Sequence, residues 1–518
     1  MPGVQSPAEI TDDTAGPARL ADGHRYDVPS VLPRTDDTPP TFATWLARRP
    51  AWPVTALLAG YPLWWALGIA DFMWILLAIP MAARMLAWRT GRSRPLRLPP
   101  GFGIWAVFLL WTVISVVMIG MKAPGTVTSP VSHRLVAYTD RTITYVAITV
   151  LLLYVGNLTH RELPRRKLAW LLGLLAIYAT VLGIAGIFLK NFQFSSPMLY
   201  LVPHSLANNN FFQAQFHPAL NQVQYVFGTA TGQGRPKAPF DYTNTWGECL
   251  TITLPWLLLV CLGAPRRRWL RLLGWTTLFF AVVALVYSLN RGAWIATGFS
   301  VLYLAVRLAA KGRIGLLTGI VAGLALLVIV VVATPLSSVI TMRLQHGQSN
   351  AIRSSLFSLS IKDGLASPIL GYGDTRQQAG SPLTIAVGPT PSCPTCGQAE
   401  VGSTGQFSLL LICSGFVGVL LYCAFFAYGA LRYWRDPTPE GMAGVLVILL
   451  SFIYLFTYDA VAAPLGITMV AYAILWRNEI HRRRADPGQP DQIPRPRRFA
   501  IRATEAALTR PQATASAR

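Results

Sequence analysis

Between a polar N-terminal segment and a polar C-terminal one, this chain consists of long apolar stretches separated by polar connections. The stretches run to about 18 to 22 residues, roughly the length a helix needs to cross a bilayer core of ~30 Å. Residues 250–262, extended at both ends, form one; residues 315–333 form another. The runs are continuous rather than alternating, which favours helices over a barrel. The pattern predicts an all-α polytopic membrane protein with about twelve spans. They fall near 52–69, 71–88, 101–121, 138–157, 168–188, 243–263, 271–289, 292–310, 314–334, 404–428, 441–457 and 464–476. The alternative for the tight 51–88 pair is a re-entrant hairpin.

Residues 1–51 are Pro-rich and mixed in charge, with no apolar core of a signal peptide. They read as a disordered tail, as do the Pro- and Arg-rich residues 477–518.

Composition agrees with the pattern. Hydrophobic residues make up 53% and charged residues 13%, and mean hydropathy is +0.43. A soluble domain carries about 25% charged residues because its whole surface meets water, so a soluble globular enzyme is excluded. The net charge of +22 would suit nucleic acid, but its distribution argues against that partner. Basic residues cluster at 89–97, 161–167, 266–271, 307–313, 432–435 and 477–484, in alternate connections between spans. Under the positive-inside rule that side is the cytoplasm, with both termini on it, as in a bacterial inner-membrane protein.

The opposite side receives two long loops, about 189–242 and 335–403, and long loops in a compact chain are usually functional or disordered. Several residues there and at nearby span ends bear on chemistry. Arg291 sits in Ser288-Leu-Asn-Arg-Gly-Ala, a short turn between two spans. A guanidinium there suits a diphosphate, whose oxygens its planar fork can meet in pairs; an interfacial Arg snorkelling to headgroups is an equally good reading. Arg353 opens a helix predicted over about 351–365, and Ser367-Pro-Ile-Leu-Gly-Tyr-Gly follows, its glycines suggesting a tight turn with close backbone approach. Arg235 and Lys237 precede Phe240-Asp-Tyr-Thr-Asn, where Asp241 or Asn244 is expected to cap the next helix. A sugar-binding or acid/base role for Asp241 is the minority alternative.

Cys393 and Cys396 form a C-P-T-C pair in the second loop, where a disulfide is permitted. A metal site would need two further ligands. Cys249, Cys261, Cys413 and Cys423 lie in spans and read as packing residues. There is no phosphate-binding glycine loop, dinucleotide fingerprint or serine-hydrolase elbow, so no cofactor is implied.

The order of these features resembles the O-antigen ligase/polymerase superfamily, bacterial membrane glycosyltransferases acting on undecaprenyl-diphosphate-linked glycans. The likeness covers about residues 140–475 and rests most on 288–294 and 353–373 in tandem, followed by Ser414-Gly-Phe-Val-Gly. It implies a GT-C-like, metal-independent transferase facing outward. Arg291 and Arg353 would hold the lipid diphosphate and stabilise its charge as the glycosyl bond breaks. The donor would be a polyprenyl-diphosphate-linked glycan, and the acceptor a glycan or lipid hydroxyl. In one respect the chain departs from the pattern: where many members place a His assisting the acceptor, this chain has Thr404. A Thr is no comparable base at neutral pH, so either another group takes the role, with Asp241 and His346 as candidates, or the acceptor chemistry differs in this branch. Competing readings are a transporter or flippase of lipid-linked sugars and a non-catalytic scaffold for envelope assembly. Few mid-span charges and no evident repeat count against a transporter.

Overall fold

The computed structural model describes residues 49–485 apart from 92–93, 128–129, 204–214, 225–232, 264–266, 313, 316, 320, 324–347 and 379–399. Both predicted tails (save residues 49–51 and 477–485), most of the 314–334 span, His346 and the Cys393/Cys396 pair lie outside the described residues.

Among the described residues, seven helices are long and apolar enough to cross a membrane, as in an all-α membrane protein. They are α3 (Phe72–Thr90), α5 (Val131–Asn157), α6 (Arg165–Phe188), α7 (Thr243–Leu262), α8 (Arg268–Tyr287), α9 (Arg291–Ala309) and α11 (Gln406–Tyr433). The shorter α4 (Phe102–Ile114) and α12 (Pro439–Tyr454) are also apolar, and α13 (Ala463–Ala485) runs on into basic sequence. The stretch expected at 52–69 forms two short helices instead, α1 (Trp52–Ala59) and α2 (Tyr61–Leu67). Gly60 ends one and starts the other, and Gly68, left-handed at φ 79°, stops the second.

Helix α7 is the centre, packed against α6, α8, α9, α12 and α13. Its indoles Trp246 and Trp256 are fully buried. Small residues on α6 permit the approach: a Cβ on Gly183 would lie 2.8 Å from the Trp246 ring, and one on Gly173 would lie 2.9 Å from the Leu257 backbone.

Five of the six basic connections that the sequence groups on one side, all but 266–271, are joined to one another by contacts at one end of the bundle. Arg94 pairs with Glu162 at 3.0 Å, and Arg477 reaches the Thr159 carbonyl at 3.2 Å. Arg307 donates to the Trp434 carbonyl at 2.9 Å, and Arg482 pairs with Asp436 at 2.6 Å. Alternating spans produce this gathering, and they send the long loops to the other end. There β1 (Asn221–Gln224) and β2 (Gln233–Pro236) form an antiparallel hairpin with Gln222 opposite Arg235. The second loop contributes α10 (Gln348–Ala366) and the pair β3 (Arg376–Gln377) with β4 (Glu400–Val401).

Helix α10 buries Leu356, Ser360, Asp363 and Gly364, spaced as one helical face. The Ser367–Gly373 turn after it is held in a notch of α11. Gly415, at φ 66°, interrupts α11 in mid-course, so the Ser414–Gly418 segment breaks a helix rather than ending one. The freed backbone is taken up by the turn: Tyr372 N–H donates to the Ile412 carbonyl at 2.6 Å, Gly373 N–H to Cys413 at 3.0 Å, and Phe416 N–H to Pro368 at 2.8 Å. Gly371 and Gly373 have φ of 64° and 76°, and a Cβ on Gly371 would lie 2.6 Å from the Ile412 carbonyl oxygen. Trp111 Nε1 donates to the carbonyls of Ile369 and Ser414, each at 3.1 Å. Arg141 fastens the far side, meeting the Asp374 carboxylate at 2.8 Å and the Gly373 carbonyl at 2.9 Å. The motif is a brace that fixes α10 against the spans.

Candidate functional site

The turn between α8 and α9 is built by its own side chains. Leu289 adopts φ 53°, and the Ser288 hydroxyl accepts from Asn290 N–H at 3.2 Å while donating to the Leu285 carbonyl at 2.7 Å. Asn290 caps α9, its Oδ1 accepting from Ala293 N–H at 2.9 Å. Its amide nitrogen donates to the Thr243 carbonyl at 3.2 Å, tying the turn to the start of α7. Arg291 is the first residue of α9 and is half-buried.

Three segments distant in sequence converge on this turn. From β2, Arg235 Nε donates to the Ser288 carbonyl at 2.6 Å. From α10, Arg353 donates to the Thr457 carbonyl at 3.3 Å and holds its guanidinium carbon 5.8 Å from the centre of the Tyr458 ring. From the connection between α12 and α13, the Tyr458 hydroxyl donates to Asn290 Oδ1. Gly292 makes room for it, since a Cβ there would lie 2.7 Å from that hydroxyl.

The same connection is stitched to the beginning of α11. Gln406 N–H donates to the Tyr458 carbonyl at 2.9 Å, Phe407 N–H to the Leu455 carbonyl at 2.7 Å, and Ala460 N–H to Gln406 Oε1 at 2.9 Å. This sets Asp459 beside Gly405, one residue from Thr404. Burial, and then the negative Glu400, push the Asp459 carboxyl up to about 7, against the pull of Arg353, Arg141 and a hydrogen bond from the Gly405 backbone. Asp459 Oδ1 has no hydrogen-bond partner among the described residues. Nor has Oε2 of Glu248, a buried acid on α7 within electrostatic reach of Asp459. Thr404 is buried and donates to the Ser408 hydroxyl at 2.8 Å.

Lys237 and Asp241 belong to a second cluster. Asp241 does not cap α7, and neither does Asn244: the cap position is Tyr242, no side chain bonds there, and Asn244 lies half-buried inside the first turn. The Asp241 carboxyl turns instead to Asp71, just before α3, with which it is within hydrogen-bonding reach. Burial raises both acids. Asp71 is raised further by the Asp241 charge, while Asp241 is held back by its bond to Asp71 and by Lys237. Gln215 Nε2 donates to Asp71 Oδ2 at 3.2 Å.

No family model, curated protein or solved structure matches this chain.

The geometry thus brings together Arg235, Arg353 and the Arg291 turn, sets Thr404 at their margin, and places Lys237 and Asp241 apart. Sequence reasoning missed Tyr458, Asp459, Glu248 and Asp71. The three acids carried a usable signal, since an ionisable residue inside or at the end of an apolar run is a functional candidate by default. Tyr458 carried none. Among the described residues no group of His, Cys, Asp and Glu is arranged to hold a metal ion. The cluster offers positive charge converging from separate segments next to a carboxyl that titrates near neutrality, a combination suited to an anionic leaving group and a hydroxyl nucleophile.

Proposed function

We propose that this chain is a membrane glycosyltransferase of the O-antigen ligase/polymerase kind. It transfers glycan from a polyprenyl-diphosphate carrier to an acceptor hydroxyl at the outer face of a bacterial cytoplasmic membrane, with about twelve spans in a GT-C-like arrangement. The reading is carried by one observation: Arg235, Arg353 and the Ser288–Gly292 turn meet around Tyr458. A departing diphosphate needs fixed positive charge more than it needs a proton. In the reaction the bond from the anomeric carbon to the diphosphate oxygen breaks, and its electron pair leaves with the diphosphate toward Arg291 and Arg353. The acceptor oxygen forms the new bond to that carbon, and its proton passes to Asp459, which takes the part that Thr404 cannot.

The alternative of a transporter of lipid-linked sugars draws support from two features, the buried Glu248 within a span and the break in α11 at Gly415. One experiment separates the readings: delete the gene, return wild-type or Arg353→Ala copies, and size the surface glycan and its lipid-linked precursors. A transferase leaves precursors on the outer leaflet, as single repeats for a polymerase and as full polymer for a ligase. Precursors trapped on the inner leaflet make the chain a transporter. Unchanged glycan with unchanged precursors rejects both.

A further inference from the structure

At the basic end of the bundle, away from the arginine site, lies a cavity of about 520 Å³. Its basic lining is Arg94, Arg97, Arg161, Arg477 and the imidazoles of His160 and His481, with Leu158 and Ile480 among its apolar walls. No acid lines it among the described residues. The nearby Glu162 is engaged by Arg94 at 3.0 Å and by the Thr159 hydroxyl at 2.8 Å.

Arg477 is 4% exposed. One of its terminal nitrogens is satisfied by the Leu163 carbonyl at 2.6 Å, but its Nε has no hydrogen-bond partner among the described residues. His160 is more crowded still. Arg477 approaches its Nδ1 at 3.2 Å, Arg165 Nε approaches its Nε2 at 3.2 Å, and the His481 ring stands 5.0 Å away. A neutral imidazole has one lone-pair nitrogen, so one of those two contacts sets N–H against N–H. Burial and the surrounding positive charges push His160 down to about 4, so protonation gives no relief. An anionic oxygen in the cavity would accept from the groups left unsatisfied. The apolar walls, at the ends of α5 and α13, add the other half of an amphipathic ligand.

We infer that this cavity binds the phosphate of an anionic lipid headgroup. A phosphodiester is anionic at every physiological pH, and a fork of guanidiniums matches its paired oxygens. Basic pockets between span ends are suited to such headgroups. The site is independent of the transferase reading, because no residue of the arginine cluster lines it.

The test uses the full chain, purified and delipidated in neutral detergent. Short-chain phosphatidylglycerol, short-chain phosphatidylcholine and inorganic phosphate are titrated separately, with binding read by native mass spectrometry. The wild type is expected to take phosphatidylglycerol at least about tenfold more tightly than phosphatidylcholine. The exposed pair Arg97→Gln/Arg161→Gln should lose about tenfold or more of that preference, at about fivefold per arginine, with Tm in phosphatidylcholine unchanged. Arg267→Gln/Arg268→Gln, outside the cavity, should keep the preference. Equal wild-type affinity for the two lipids overturns the proposal. So does an equal loss in both double variants, which would make the attraction a property of the whole basic surface. Saturation by inorganic phosphate with no response to phosphatidylglycerol would reassign the cavity to a soluble phosphate and overturn the lipid.

Discussion

Arg353 holds its guanidinium against the face of Tyr458, 5.8 Å from the ring centre, while the Tyr458 hydroxyl donates to the cap residue of α9, Asn290. One aromatic side chain therefore connects the loop arginine to the turn that carries Arg291. A cation over an aromatic face gains from the ring quadrupole and is held in orientation, so Tyr458 positions the charge as well as filling space.

Arg353→Ala is expected to lower glycan transfer by about 10²–10³-fold, the loss seen when one preorganised donor to a developing anion is removed. Tyr458→Phe keeps the ring and loses the tie to Asn290. It should cost about 1 kcal/mol of stability, since Asn290 Oδ1 keeps its bond from Ala293, and a smaller share of activity. Transfer assayed with lipid-linked donor at matched protein levels checks both. Equal activity of Arg353→Ala and wild type would remove Arg353 from the site.

The role proposed for Asp459 implies a rate that depends on pH. Its carboxyl titrates at about 7, chiefly through burial. As a base it must be ionised, so the rate should be flat above about 7 and fall about tenfold per pH unit well below it. Asp459→Asn should abolish that limb together with most activity. A pH profile for wild type without an inflection between pH 6 and 8 would count against this role.

Much of this arrangement was legible in the chain, and the reasons divide by distance along it. Runs of apolar residues mark spans because a span satisfies its own backbone, so α5, α6 and α7 fall close to where the pattern put them. Gly371 and Gly373 announced a close backbone approach, and Ile412 and Cys413 provide it. Arg235 stood out as a charge shortly before a span, and Arg353 as the charge that opens the loop helix. Their meeting at Tyr458 was not legible, because it depends on α12 and α13 packing on α7 while α10 packs on α11, a relationship no local spacing encodes. Asp241 misled for the same reason: its place before a helix suggested a cap, while Asp71, far upstream, takes its carboxyl.

Asp363 predicts a stability change without a matching role in chemistry. It is 0% exposed, and neither carboxyl oxygen has a partner among the described residues. Burial raises it to about 6, opposed by Arg376. A raised folded pKa means the protonated acid is favoured in the fold, so this contribution is complete below about pH 4 and is lost as pH rises through about 6. Asp363→Asn should therefore raise stability by about 2 kcal/mol at pH 8 and by little at pH 4. Tm measured in detergent across that range decides it, and an equal shift at both ends would mean the charge is not the cause.

The brace that carries Arg353 can be tested apart from the arginine itself. Gly371 is left-handed, and a Cβ there would meet the Ile412 carbonyl oxygen at 2.6 Å and the backbone nitrogens of Gly415 and Ser414 at 2.7 and 2.8 Å. Those atoms are main chain and cannot rotate away, so Gly371→Ala must open the contact between the Ser367–Gly373 turn and α11. The strain alone costs about 1–3 kcal/mol. Gly103 provides the control: it lies inside α4, and a Cβ there would meet nothing within 4 Å. Gly103→Ala should be neutral or stabilising by up to about 1 kcal/mol. Because α10 is fixed through this turn, Gly371→Ala should lower transfer as well as Tm, and Gly103→Ala should change neither adversely. If Gly371→Ala loses stability yet keeps full activity at a temperature where it is folded, the turn does not position Arg353, and the loop helix finds its place through its buried face alone.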